Sequence, residues 1–391
     1  MPVVTSTAPR TYRKSLRLFE LVSLGVGGTI GSGIFVVPGI AAAIAGPSSL
    51  LAWLIVAVSA CSVAVALSEV QARSPTGTAF YEMFAPVFGA RASTAVVVIY
   101  VVSALFGIAT IAAGLGQYLS YFAIPHTLVA EILIIIAFLI VNLTGIALSG
   151  ATENALTVIK IAAIVGIAAV LTPFIQMENL MPTRRIGMPE LLQVVIIVYW
   201  SFTGFEISAI PVAETRDPRE ISRALLLVML LVCLIYGVLN VALIGAVGAT
   251  ELAASPAPIA AAVGRVFSGA GPFVAALGIV TMLSALNAYI VAASRVLQNG
   301  AEVMRIAALA RLSRRGAPAA ALVVSCTVSG GLLLFSNHFD VLATVTVLST
   351  LIPYVAICVS AVVLIKSPVT RGMALLGALS TAGILVLYFV L

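Results

Sequence analysis

Gly25-Val26-Gly27-Gly28-Thr29-Ile30-Gly31-Ser32-Gly33-Ile34-Phe35 lies inside an apolar run that extends from Leu16 to Ala45. Five glycines in nine residues make a poor continuous helix, since each costs about 1 kcal/mol relative to alanine. An unwound turn here would expose amides at the N-terminal end of the following half-helix, a place suited to an anionic group. Close packing through small residues is the plainer reading, and the glycines alone leave both open.

A second interruption, Tyr199-Trp200-Ser201-Phe202-Thr203-Gly204-Phe205-Glu206, falls within the apolar run Leu191–Val212. Gly204 permits unwinding, which would free carbonyls to accept hydrogen bonds from an ammonium group. Glu206 is an ionisable residue at membrane depth, where such groups face a cavity or a partner. Trp200 sits about ten residues into the run, too deep for an interfacial aromatic belt. Simple packing is its alternative role.

Around these two stretches the chain is apolar nearly throughout. Hydrophobic residues make up 62% of it and charged residues 9%, with a mean hydropathy of +1.20. A soluble domain carries roughly 25% charged residues, so the composition excludes a water-soluble enzyme or binding module. It predicts an all-α polytopic membrane protein whose backbone groups are satisfied within each span. Runs of bilayer-crossing length fall at Leu16–Ala45, Ser49–Val70, Ser93–Phe122, Leu128–Leu148, Ala155–Phe174, Leu191–Val212, Ala224–Val247, Pro272–Leu297, Ala319–Phe335, Val341–Ile365 and Met373–Leu391. Ser255 to Phe267 reads as a short surface helix.

The interrupted runs are the first and the sixth of these eleven. Each opens a group of five, and an odd group size gives the two halves opposite orientations. An inverted repeat with a site at its interface follows. The expected organisation is an N-terminal cytosolic segment (1–15), a first five-helix repeat (16–174), a second, inverted repeat (191–365) and an additional eleventh helix (373–391).

The net charge of +6 has a topological explanation. With the N-terminus cytosolic, sixteen Lys and Arg residues fall on the cytosolic side, including Arg10, Arg13, Lys14 and Arg17. Only Arg184, Arg185 and Arg265 fall outside, an asymmetry that favours this orientation in a cell inner (plasma) membrane. No nucleic-acid partner is needed to explain the basic pI. Cys61, Cys233, Cys326 and Cys358 are far apart within apolar runs and read as small buried residues. His126 and His338 have no ligand partners at metal spacing, so neither metal nor cofactor is expected.

Three motifs together resemble a known group. Gly28-Thr29-Ile30-Gly31-Ser32-Gly33-Ile34-Phe35 is similar to the first-helix signature of the amino acid–polyamine–organocation superfamily. Phe202-Thr203-Gly204-Phe205-Glu206, followed by Ala213-Glu214 and Asp217-Pro218-Arg219, resembles its sixth-helix and following-loop signature. Leu286-Asn287-Ala288 and Ser294-Arg295 resemble its eighth helix. The chain departs in stopping at eleven spans where many relatives have twelve. It also departs in Gln298-Asn299-Gly300-Ala301-Glu302, where relatives often carry Asp-Gly followed by Pro.

The resemblance implies the inverted five-plus-five fold of the leucine transporter type and alternating access. It assigns Ile30, Gly31, Ser32 and Gly33 to the substrate carboxylate. Phe202, Thr203 and Gly204 go to the substrate amine, with Trp200 and Phe202 as gating aromatics. Lys160 lies about seven residues into the fifth span, roughly 10 Å deep, and by itself would also fit a snorkelling anchor. Sodium-independent members of the superfamily similarly carry a fifth-helix lysine beside the unwound first helix, where it stands in for a sodium ion near Gly27 and Gly28. Lys160 and Glu206 are therefore the expected proton-coupling pair.

The expected function is sodium-independent, proton-coupled transport of a neutral amino acid, because the third span offers no charge near its centre. A cationic amino acid or polyamine exchanger is the alternative. An intramembrane enzyme using Glu206 and Lys160 would lack paired acids, a Ser/His dyad or a metal cluster, and a channel would lack a filter motif. The basic asymmetry generates the first test. A C-terminal reporter active only outside the cytosol is expected to be active, and an N-terminal one silent; the reverse activities would overturn the orientation.

Overall fold

Apolar runs of this length offer the backbone no solvent partner, so helix is the state in which each N–H and C=O finds one. The computed structural model describes residues 16–73, 79–144, 150–182, 184–210, 215–217, 219–313 and 317–391. The expected cytosolic segment 1–15, with Arg10, Arg13 and Lys14, lies outside the described residues, as do Ala213, Glu214 and Pro218.

The described residues form sixteen α-helices. They are α1 (Leu18–Thr29), α2 (Ser32–Ala45), α3 (Ser49–Gln71), α4 (Ala79–Tyr121), α5 (Thr127–Thr144), α6 (Gly150–Leu171), α7 (Met177–Leu180) and α8 (Met188–Phe202). After a 3-10 turn at Phe205–Ala209 come α9 (Arg219–Val247), α10 (Ala249–Ala253), α11 (Pro258–Val266), α12 (Gly271–Val303), α13 (Ala307–Ala310), α14 (Ala319–Phe335), α15 (Phe339–Leu364) and α16 (Pro368–Val390). Leu16 and Thr215 make an isolated parallel bridge.

Nine stretches among the described residues are long and apolar enough to cross a bilayer. The first of them, Leu18–Gln71, holds 54 residues in α1 to α3, enough for two crossings at about 20 residues each. The apolar α14 is shorter, at 17 residues. The chain is an all-helical, multi-pass membrane protein.

Several boundaries differ from the sequence expectation: α9 and α16 begin five residues earlier than Ala224 and Met373, at Arg219 and Pro368, and α12 runs six residues past Leu297, to Val303. The third span was expected to begin at Ser93, but α4 starts at Ala79 and turns sharply at Gly89, whose φ is 73°. Pro86 and Glu82 give this first part a loop-like composition, yet Phe80, Met83 and Phe84 are buried and hold it against the bundle. The breaks are also narrower than the glycine-rich stretches. Helix α1 continues through Thr29 and α2 starts at Ser32, leaving only Ile30 and Gly31 outside regular helix.

In the second break, α8 ends at Phe202, and Thr203 and Gly204 precede the 3-10 turn. Gly204 has φ 101°, a left-handed conformation that favours glycine. The two breaks meet backbone to backbone. A Cβ at Gly204 would lie 2.8 Å from the Gly28 carbonyl oxygen, and one at Gly28 3.1 Å from that of Gly204. Ser208 donates to the Leu21 carbonyl at 3.0 Å, and Arg216 N–H to that of Leu16 at 3.0 Å. At the other end, Arg184 joins Glu190 on α8 at 2.9 Å and the Ile44 carbonyl of α2 at 2.7 Å.

Gly204→Ala would combine a left-handed alanine with a backbone clash. The expected loss is about 2–5 kcal/mol from conformation and overpacking together, read as a lower melting temperature of the purified protein. Gly330→Ala, where the added methyl meets open space, is expected to leave the melting temperature unchanged or slightly raised.

Candidate functional site

A helix that stops inside a membrane leaves donors at one cut end and acceptors at the other. At the first break the acceptors are claimed by side chains from distant helices. Tyr236 on α9 donates to the Thr29 carbonyl at 3.0 Å. Lys160 on α6 is 2% exposed, and its Nζ donates to the Gly27 carbonyl at 3.5 Å. Thr157, one turn earlier, donates to the Ser23 carbonyl at 3.2 Å. The ammonium is thus aimed at the broken helix and not outward toward a membrane surface.

The donors of the first break lie at the start of α2. Gly31 N–H is taken by the Thr29 carbonyl at 3.1 Å. The amides of Ser32 and Gly33 occupy the first turn of α2, where N–H groups have no partner within the helix. Gly33 sits against α8 so closely that a Cβ there would be 2.5 Å from Ser201 Cα. The glycine is required by helix–helix approach, a reason different from an open turn. Beside it, the buried Ser201 hydroxyl has no hydrogen-bond partner among the described residues. This hydroxyl lies 2.9 Å from the Cβ position at Gly33, and no role for it was expected from the sequence.

At the second break Glu206 acts as a brace. It is 3% exposed and accepts three hydrogen bonds, from Gly204 N–H at 3.0 Å, Tyr354 OH at 2.8 Å and Tyr100 OH at 3.3 Å. The two tyrosines come from α15 and α4, so one carboxyl joins the second break to two other spans. Phe80, from the first part of α4, packs on Tyr100 with ring centroids 4.6 Å apart. A narrow cleft lined by Tyr100, Ser103, Glu206, Tyr289 and Thr350 opens beside this carboxyl.

The structure separates the two expected gating aromatics. They are two residues apart on a helix, which turns their side chains roughly 200° from one another. Trp200 donates from Nε1 to Ser32 Oγ at 3.2 Å and packs on Tyr289 at 5.9 Å. Phe202 packs instead with Trp53 at 5.9 Å and Tyr236 at 5.3 Å. Tyr289 OH also donates to Thr203 Oγ1 at 3.5 Å. Hence Ser32, Trp200 and Thr203 are linked on one side of the crossing with Tyr289, while Phe202 packs on another.

The residues missed by sequence reading are mostly tyrosines: Tyr100, Tyr236, Tyr289 and Tyr354. Their signal was depth, since each lies well inside a span and its hydroxyl requires a partner there. Glu131 on α5 was also passed over. It is 1% exposed and fits a notch left by Gly116, where an added Cβ would meet its carboxyl group.

With this geometry in place, the comparisons are specific. The family model described as "Amino acid permease" matches residues 16–391. Among curated proteins, the chain is similar to the branched-chain amino acid permease BcaP of Bacillus subtilis (strain 168), 20% identical over 66% of this chain and 60% of that protein. It is 25% identical to the branched-chain amino acid permease BcaP of Lactococcus lactis subsp. cremoris (strain MG1363), over 64% of this chain and 60% of the relative. It is 27% identical to the chloroplastic cationic amino acid transporter 9 of Arabidopsis thaliana, over 59% of this chain and 45% of the relative. The chain thus spans about half to three-fifths of the length of these relatives. The match from Leu16 to the last residue, on a bundle with two touching broken helices, places the chain in the amino acid permease family, within the amino acid–polyamine–organocation superfamily.

Proposed function

We propose that this chain is a secondary active transporter that moves a neutral amino acid by alternating access, without sodium and coupled to protons. The observation that carries the reading is the Lys160 ammonium beside the Gly27 carbonyl. A cation of the protein's own occupies the neighbourhood of the first break, where a bound sodium ion would otherwise be attracted. In this reading the spans form the inverted five-plus-five arrangement, with the N-terminus cytosolic in the plasma (inner) membrane.

The substrate carboxylate would meet the Ser32 and Gly33 amides at the positive end of α2. Its ammonium would meet carbonyls near Phe202 and Thr203, with Ile30, Gly31 and Gly204 shaping the two turns. Trp200 would act as the gating aromatic, because its indole already holds Ser32. A neutral side chain is supported by Ala104, Ala292, Ala293 and Val296, which line much of the cleft below Tyr289. The names of the bacterial relatives point the same way.

The alternative substrate is a cationic amino acid, which the name of the plant relative supports. It would need a carboxylate to pair with, and Glu206 borders the cleft. Against it, the Glu206 carboxyl already serves three donors of the protein itself. Releasing it to a substrate would leave the Gly204 amide unpaired in a dry site, at a cost of about 1–3 kcal/mol.

Uptake by proteoliposomes tests the reading. Neutral aliphatic amino acids are expected to enter equally well in sodium and in choline buffers. Lys160→Ala is expected to insert and fold but to lose at least about tenfold in rate, which corresponds to roughly 1.4 kcal/mol. Sodium-dependent uptake, or near-normal flux in Lys160→Ala, would sink the mechanism.

Glu206→Gln separates coupling from bracing. An amide can still accept from tyrosine, so the variant is expected to fold and to bind substrate. Its uptake is expected to lose most of its dependence on pH. A wild-type pH profile in Glu206→Gln would leave the residue a brace only.

A further inference from the structure

Cys61 and Cys233 lie far apart in the sequence, yet folding brings them together across 172 residues. Cys61 on α3 and Cys233 on α9 place their Sγ atoms 3.4 Å apart. Both are free thiols and both are only half-buried, whereas Cys326 and Cys358 are buried. A disulfide requires the sulfurs to close to about 2.05 Å, a movement of little more than 1 Å from the observed separation.

The location of the pair matters as much as its geometry. Two residues before Cys61, Ser59 on α3 hydrogen-bonds the Tyr199 hydroxyl of α8 at 3.1 Å. One turn after Cys233, Tyr236 on α9 holds the freed Thr29 carbonyl at 3.0 Å. Trp53 of α3 packs on both Phe202 and Tyr236. The two thiols therefore sit between the helices that hold the first and the second break.

We propose that Cys61 and Cys233 form an oxidisable dithiol site, closed by membrane-permeant hydroperoxides, and that the resulting disulfide slows transport by locking α3 to α9. The chemistry balances without a metal. One thiol attacks the peroxide O–O bond, the alkoxide leaves and takes up the thiol proton as an alcohol, and a sulfenic acid remains. The second thiol displaces the sulfenic hydroxyl, which departs with a proton as water. Two thiols and one hydroperoxide give one disulfide, one alcohol and one water. The half-buried position suits an oxidant that arrives through the lipid.

The test uses the full-length chain in proteoliposomes treated with tert-butyl hydroperoxide. Expected are a peptide linked through Cys61 and Cys233 by mass spectrometry, and Cys326 and Cys358 still open to alkylation after unfolding. Initial uptake is expected to fall by more than half, to recover with a phosphine reductant, and to be insensitive to peroxide in Cys61→Ser and Cys233→Ser. The uptake measurement rests on the transport reading above, whereas the cross-link does not. Absence of the linked peptide would overturn the proposal. So would a linked peptide with unchanged uptake, or equal inhibition of the two serine variants.

Discussion

A backbone group released from a helix inside a bilayer has no water to turn to, and this constraint organises the whole bundle. Three groups freed at the two breaks are held by buried side chains. Tyr236 holds the Thr29 carbonyl, Lys160 that of Gly27, and Glu206 the Gly204 amide. The three holders come from α9, α6 and the second break itself. Their burial would be costly for any other purpose, so the breaks and the buried polar residues explain one another.

Between the two broken segments the contacts are tight and made largely of backbone: Gly28 against Gly204, Gly33 against Ser201, and the Leu16–Thr215 bridge. Toward α4, α12 and α15 they combine side-chain pairs, from Glu206 to Tyr100 and Tyr354 and from Trp200 to Tyr289, with close approaches of Gly114 to Ser32 and of Gly31 to Ala285. Helices α4 and α15 are joined to each other by Ser103 with Thr350 and by Thr110 with Thr346, at 2.8 and 3.1 Å.

The spans were legible because bilayer thickness sets helix length, and α3, α14 and α15 begin and end within two residues of where apolar runs place them. Lys160 and Glu206 were legible because charge is rare in such runs. The Tyr100, Tyr236 and Tyr354 partnerships were not, because each joins residues more than 100 positions apart and a tyrosine in an apolar run also reads as ordinary packing. The first turns of α4 were hidden for a different reason. Pro86 and Gly89 resemble loop chemistry, and only burial of Phe80 and Phe84 against neighbours makes that segment helical. For Cys61 and Cys233, spacing carried no signal at all, since proximity arises from the packing of α3 on α9.

The distance along the chain from Thr29 to Tyr236 is 207 residues, and it has a consequence for biosynthesis. A ribosome adds about 5–20 residues per second, so the hydroxyl that completes the first break is made roughly 10–40 s after the carbonyl it serves. The ammonium of Lys160 follows sooner, at a separation of 133 residues. Throughout that interval the first segment enters the membrane without the partners that make its interruption tolerable. Nascent Leu18–Ala45 must therefore travel as an unbroken helix or remain in the shelter of the insertion machinery, and the interruption belongs to the assembled protein, not to its first span.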